Sequence, residues 1–383
     1  MNILVSILKC DNYDFELLKD TIKKSFENLG GIERYIDKGE TVLLKVNLVM
    51  KKPPEMAATS NPEFTGALAS ILSEYGAKVI IGDSPGGPFS PMLLKSIYNV
   101  CEMDKAAKMG NAELNFNTEH IVCEFPDGKV LKKITAGAYI KNCDKIISVC
   151  RLKTHCMTKM TGAVKNMFGT IPGTTKAEYH FNCPDVNNFA DCLIDICLNA
   201  NPVLSFMDAI VGMEGEGPTA GKPRKIGAVI ASENPFHVDF VAAKIINTEA
   251  ETIPVLKNSI DRGLCPNNIE EIEMIGDNYK DFVITDYDVP KTKSMHFLGG
   301  KPPKFLEGFV DRHIQPRPDF DHKKCIGCGD CARNCPAKTI EMKNHKPFVH
   351  TSKCIRCYCC QELCPKEAVS VYRPLILRIM SKL

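Results

Sequence analysis

Two copies of one cysteine arrangement near the C-terminus limit what this chain can fold into more than any other feature. The first is Cys325-x2-Cys328-x2-Cys331-x3-Cys335 followed by Pro336, and the second is Cys354-x2-Cys357-x2-Cys360-x3-Cys364 followed by Pro365. Three closely spaced thiolates wrap one face of a 4Fe-4S cubane, and the fourth iron takes a sulfur from elsewhere. In paired runs of this spacing the fourth cysteine serves the other cluster. Cluster I is thus assigned to Cys325, Cys328, Cys331 and Cys364, and cluster II to Cys354, Cys357, Cys360 and Cys335, with Cys359 off register. Structural zinc also uses Cys-x2-Cys pairs, but it leaves the third cysteine, the fourth and the trailing proline unexplained in both copies. A disulfide framework suits oxidising compartments and small secreted chains.

The remaining cysteines run from Cys10 to Cys359 without a pairing pattern. Free thiols in such number fit a reducing, anoxic cytoplasm. Residues 1–10 are a short apolar run followed by Asp11 and Asp14, with no basic leader and no small-residue cleavage site, and read as a first strand. No stretch reaches the roughly 20 apolar residues of a membrane span. A net charge of +2 gives no general attraction to nucleic acid or anionic membranes. The expectation is a cytoplasmic protein with no membrane span and no nucleic-acid partner.

At 383 residues the chain has room for one large and one small domain. Residues 319–373 form the small one, a pseudo-symmetric α+β ferredoxin-like module with short strands at 339–342 and 368–372. Before it, residues 288–318 are rich in proline and glycine and read as a connector. After it, residues 374–383 form a short amphipathic tail expected to dock as a helix. Residues 1–287 alternate apolar strand-like runs (3–8, 41–46, 78–81, 145–149, 203–207 and 226–230) with helical stretches (17–29, 62–75, 186–199 and 235–247). Residues 111–134 look like a hairpin turning at Pro126-Asp127-Gly128. Strands alternating with helices predict an α/β domain with a mainly parallel, doubly wound sheet.

Ligands of such sheets bind beyond the carboxyl ends of the strands. Lys45 and Asn47 follow the second strand, and Gly82-Asp83-Ser84-Pro85-Gly86-Gly87 follows the third. Arg151, Lys153 and His155 follow the fourth, and Asp208 and Glu216 the fifth. Lys165, Asn166, Lys176 and His180 lie in a stretch broken by Gly162, Gly169 and Gly173, so several of them can face one point. Clustered lysines suit a carboxylate or phosphate, and a histidine titrates near neutral pH. The expected site holds an anionic small molecule on Lys45, Asn47, Asp83, Ser84, Lys165, Asn166, Lys176, His180 and Asp208, with Lys153 and His155 as catalytic groups. Alternatively each of these is a structural residue, and His155, Cys156, His180 and Cys183 could instead ligate a further metal. No G-x-G-x-x-G follows a strand, so a flavin would be held without its usual motif.

Several blocks resemble domain-of-unknown-function family 362 fused to a two-cluster ferredoxin module. They are Lys45-Val46-Asn47-Leu48, Gly82 to Gly86, Leu152 to His155, Lys165-Asn166-Met167-Phe168-Gly169, Lys176 with His180, Met207 to Ile210, and Met213 to Pro218. Asn234-Pro235 with Asp239 completes the likeness, with Asn234 where the family usually carries Asp. The resemblance implies iron–sulfur binding and no particular reaction.

Clusters move one electron at a time and act according to what they are wired to. A large domain with an anion crevice beside them suggests a reductase fed by an external low-potential donor such as a ferredoxin. The alternatives are an electron-transfer or binding subunit without chemistry of its own, and a metallocentre maturation factor.

Overall fold

The apolar runs assemble into one sheet of nine strands. In chain order these are β1 (Leu4–Lys9), β2 (Thr41–Lys45), β3 (Lys78–Gly82) and β4 (Glu113–Leu114). After a separate hairpin of β5 (His120–Glu124) and β6 (Lys133–Gly137) come β7 (Lys145–His155), β8 (Lys159–Thr161), β9 (Leu204–Glu214), β10 (Lys222–Ser232) and β11 (Glu273–Gly276). This computed structural model describes residues 3–290, 316–372 and 374. The spatial order is β11-β1-β10-β9-β7-β2-β3-β4, with β8 folded back on β7. Among these only β10 and β8 run against the rest.

Side-chain alternation divides the sheet between two cores. Val42, Leu44, Ile147, Val149 and Phe206 pack with the helices α1 (Phe15–Asn28) and α2 (Pro62–Tyr75). Leu43, Cys150, Leu152, Met207 and Ile230 face the other way, onto Phe189 and Phe240 of the later helices 186–200 and 235–245. Both faces being covered is the doubly wound arrangement, and it explains why β7 is buried along nearly its whole length. Local signals set the helix starts: Asp14, Asn61 and Asp185 accept backbone N–H groups of the first turns. Asn234 does the same for Phe236 and His237 at 2.8 and 3.3 Å, so the asparagine at this position is a working cap.

Three expectations need correction. β7 and β9 continue to His155 and Glu214, so Arg151, Lys153, His155 and Asp208 lie within strands and not beyond them. The ladder persists because their charges find buried partners, as Arg151 Nε does 3.7 Å from Asp208. The hairpin is displaced to 120–137, and Glu113–Leu114 joins the main sheet. Of the expected connector, residues 291–315 lie outside the described residues, while Arg317 and Pro318 already belong to a strand of the ferredoxin module. The tail lies outside the described residues after Pro374.

In that module β12 (Arg317–Phe320) pairs with β15 (Val369–Tyr372), and β13 (Ile340–Lys343) with β14 (Lys346–Val349). One-turn helices at Asp330–Arg333 and Cys359–Glu362 carry the third cysteine of each run, Cys331 and Cys360. Among the described residues no helix is long and apolar enough to cross a membrane.

Asp239 is a strongly perturbed acid of the core. Asp239 accepts the N–H groups of Ala163 and Val164 at 2.5 and 3.1 Å, and Gly162 leaves it room, since a Cβ there would sit 2.0 Å from Oδ1. Burial outweighs these bonds and pushes its carboxyl up to about 7. A carboxyl raised on folding stabilises fully below its unfolded pKa and loses that contribution as pH rises through the folded value. Stability should therefore fall between pH 4 and 7, by about 4 kcal/mol from this group at roughly 1.4 kcal/mol per unit. Urea titrations of Asp239→Asn across that range should show the slope removed; an unchanged slope would assign it elsewhere.

Candidate functional site

Cys325, Cys328, Cys331 and Cys364 line one small cavity of about 20 Å³, although Cys364 belongs to the second run. Cys335 of the first run in turn interacts electrostatically with Cys354 and Cys360 of the second. The backbone places both crossing ligands alike: Thr339 N–H donates to Cys335 Sγ at 3.3 Å and Ala368 N–H to Cys364 Sγ at 3.2 Å, each from four residues on. Soft thiolates with N–H donors aimed at sulfur are the donor set of an iron–sulfur cluster.

A larger cavity of about 100 Å³ opens where the ferredoxin module meets the α/β domain. The joint is specific. Lys52 pairs with Glu367, Thr219 Oγ1 donates to the Glu362 carbonyl at 3.1 Å, and Gln361 Nε2 donates to the Glu216 carbonyl at 2.9 Å. Leu363 packs so closely over Gly86 that a Cβ there would lie 2.4 Å from its Cδ2. One wall of the cavity is Asn47, Asp83, Ser84, Lys153, Lys165, Asn166, Lys176 and His180; the other is Asn334, Cys359, Glu362 and Leu363.

The predicted residues divide by how they are held. Lys45 is fully buried and does not line the cavity: its Nζ stands 2.7 Å from Asp83 Oδ1 and donates to the carbonyls of Val46 and Asn166. Asp83 also accepts Leu48 and Ser84 N–H, which makes the pair the structural knot of the crevice. Gly169 must lack a side chain here, since a Cβ would sit 2.1 Å from Asp83 Oδ1. Asn166 ties the knot to the sheet through Lys45 O and Ser148 Oγ. Asp208, expected to bind substrate, lies away from the cavity, accepting Tyr13 Oη and Ile210 N–H beside Arg151.

Lys153 Nζ donates to Asn47 Oδ1 and the Ala58 carbonyl, both at 2.5 Å. Lys176 Nζ donates at the same distance to the carbonyls of Ser84 and Ile171. Burial lowers both ammonium groups to about 7. Lys165 differs: it makes no hydrogen bond or ion pair with a described residue, and its Nζ lies 5.9 Å from the Phe168 ring centre. Burial lowers its pKa too, against the opposing pull of Glu362. His180 stacks on Phe189 at 4.3 Å, with Nδ1 buried and without a hydrogen-bond partner among the described residues.

His155 is wholly buried and outside the cavity lining, which corrects its expected place at the reacting centre. Its Nδ1 accepts Met157 and Thr158 N–H, so the proton of the neutral ring sits on Nε2, 2.9 Å from Glu362 Oε1. Neither atom has another hydrogen-bond partner among the described residues. Burial lowers His155 and His180 to about 4. His155, Cys156, His180 and Cys183 do not converge: Cys156 Sγ points to Glu216 at 3.4 Å and Cys183 Sγ lies 2.9 Å from Cys192 Sγ.

Glu362, Leu363 and Asn334 went unread, and Cys359 stood only as off register, because the residues across the cavity are distant in the chain, as Gly86 is from Leu363. The available signal was Glu362 itself, a charge placed between two ligand cysteines in an otherwise uncharged turn.

A family model described as a domain of unknown function (DUF362) matches residues 42–244, and a 4Fe-4S dicluster domain model matches 317–365. The chain belongs to the DUF362 family. A thylakoid-associated protein of Synechocystis sp. is 30% identical over 290 residues, covering 72% of this chain and 87% of its own. Two solved structures are similar at TM-scores of 0.38 and 0.34. One is the lactate racemase apoprotein of Thermoanaerobacterium thermosaccharolyticum, 12% identical, over 62% of this chain and 56% of that one. The other is a Thermotoga maritima protein, 13% identical, over 66% and 60%. This chain therefore spans less than two thirds of either structure. Within the DUF362 segment fall the Lys45–Asp83 knot and all three cavity lysines, while the opposite wall comes from the 4Fe-4S domain, which marks the protein as iron–sulfur binding.

Proposed function

We propose that this DUF362 protein carries two 4Fe-4S clusters and is a reductase for a small anion held in the interdomain cavity. The observation that carries the reading is the pairing of walls: lysines on one side, and on the other the Cys359–Leu363 turn lying between ligands of both clusters. When bound, the clusters supply electrons one at a time. Lys165, without an acceptor of its own, pairs with the anionic group. A two-electron reduction consumes two protons, and Lys153 and Lys176, titrating near 7, are placed to give one each and recover it from solvent. His155 acts from behind, orienting Glu362. The abundance of free thiols argues for a reducing cytoplasm as its compartment.

The test is to reduce the holoprotein anaerobically and add a panel of small carboxylates and oxyanions, following reoxidation by visible absorbance. A substrate should return the oxidised spectrum. Lys165→Met should lose about 2 kcal/mol or more of binding, at least roughly thirtyfold in kcat/KM, with normal iron content. Failure of every anion to reoxidise the wild type, or wild-type kinetics in Lys165→Met, would favour an electron-transfer subunit or maturation factor.

A further inference from the structure

We infer that the face of the ferredoxin module over cluster I is the docking surface for an acidic one-electron carrier protein. The two cysteine runs are exposed very unequally. Cys357, Cys359 and Cys360 are each 8% exposed beneath the α/β domain. Cys328 is exposed, with Ile326 beside it at 60% and Phe348 at 46%. The ligands of cluster II are thus mostly buried, and cluster I faces outward through an apolar centre.

Lysines surround that centre. Lys346 Nζ is held 2.7 Å from both the His322 and Cys325 carbonyls, directly on the first ligand loop. Lys366 lines the four-cysteine cavity itself. Lys323 and Lys324 precede Cys325. Bonds from Cys325 N–H to the Asp321 carbonyl (3.0 Å) and from Asp321 N–H to the Ala368 carbonyl (2.8 Å) bring this segment beside Lys366. Of the nearby acids, Asp330 pairs with Arg333 at 2.6 Å, while Asp321 accepts the backbone N–H groups of Lys323 and Lys324 and keeps its charge beside them. Lys323, Lys324 and Lys366 have no ion pair with a described residue. An apolar patch beside lysines that make no ion pair with a described residue is the complement of an acidic protein that docks transiently, the charges steering encounter and the patch closing the contact.

The reaction at this face is outer-sphere. The reduced carrier loses one electron and the cluster I core gains it, with no bond made or broken and no proton moved. The inference is independent of the cavity chemistry, because its test reads binding and not turnover.

The experiment titrates an oxidised acidic bacterial-type ferredoxin into the full-length holoprotein by calorimetry. Raising ionic strength from about 0.01 M to about 0.15 M, which shortens the screening length from roughly 30 to 8 Å, should weaken binding about tenfold. Replacing Lys323, Lys324 and Lys366 together by glutamate should weaken it at least about tenfold at low salt and flatten the salt response. The glutamine triple should fall between, and serves instead if the glutamate triple loses iron. Ile326→Ser should weaken binding without changing the salt slope. No binding by the wild type, wild-type affinity in both triples, or tighter binding to anionic phosphatidylserine vesicles than to the ferredoxin would overturn the assignment.

Discussion

Asp83→Ala should destabilise the α/β domain by about 3–5 kcal/mol, the cost of stranding one partner of a buried ion pair. Lys45 and Asp83 have side-chain exposures of 0% and 3%, so water cannot replace the lost carboxylate. Burial already lowers the Lys45 pKa, and Asp83 is the main influence opposing that shift. Without it the ammonium must shed its proton or unpack β2 from the Asn166 turn. Leu48 and Ser84 N–H lose their acceptor as well. The double variant Lys45→Met/Asp83→Leu should recover most of the loss, because a packed apolar pair avoids both desolvation costs. Urea unfolding followed by circular dichroism checks this; a single-variant cost below about 1 kcal/mol would show that the knot does not hold the crevice.

Cys364→Ser should halve the iron of anaerobically prepared protein, from about eight to about four atoms per chain, by losing cluster I. Iron content alone does not reveal which cluster is lost, but double variants do. With crossed ligands, Cys364→Ser combined with Cys325→Ser removes the same cluster twice and should keep about four irons. Combined with Cys354→Ser it should remove both clusters and nearly all iron. Uncrossed ligation reverses these two outcomes. The crossing rests on the four-cysteine cavity that takes Cys364 from the second run. Cys359→Ser should leave iron unchanged, since that thiol faces the larger cavity.

Strand positions were legible because alternation is local: Val42 and Leu44 against Leu43 already imply a sheet covered on both sides. Strand ends were not. Arg151 and Asp208 look like loop residues until each is seen as the other's buried partner, across two strands more than 50 residues apart. The same limit applied to the crevice. Its lysines were found by their clustering, yet nothing in the sequence separates Lys45, locked to Asp83, from Lys165, which has no acceptor among the described residues. His155 carried a catalytic expectation by residue type, and the fold buries it wholly, with Nε2 2.9 Å from Glu362 Oε1.

By itself the sequence determined the iron–sulfur module, the order of the main strands and helices, and the family. Each of these is written in spacings of a few residues, where covalent geometry leaves few alternatives. Only the tertiary structure decided that the cysteine turn of the second run lines the same cavity as Lys153, Lys165 and Lys176, and that Lys45 is locked to Asp83 while Lys165 has no ion pair with a described residue. Those outcomes depend on contacts between segments hundreds of residues apart, where a charge is free or spent according to what folds against it.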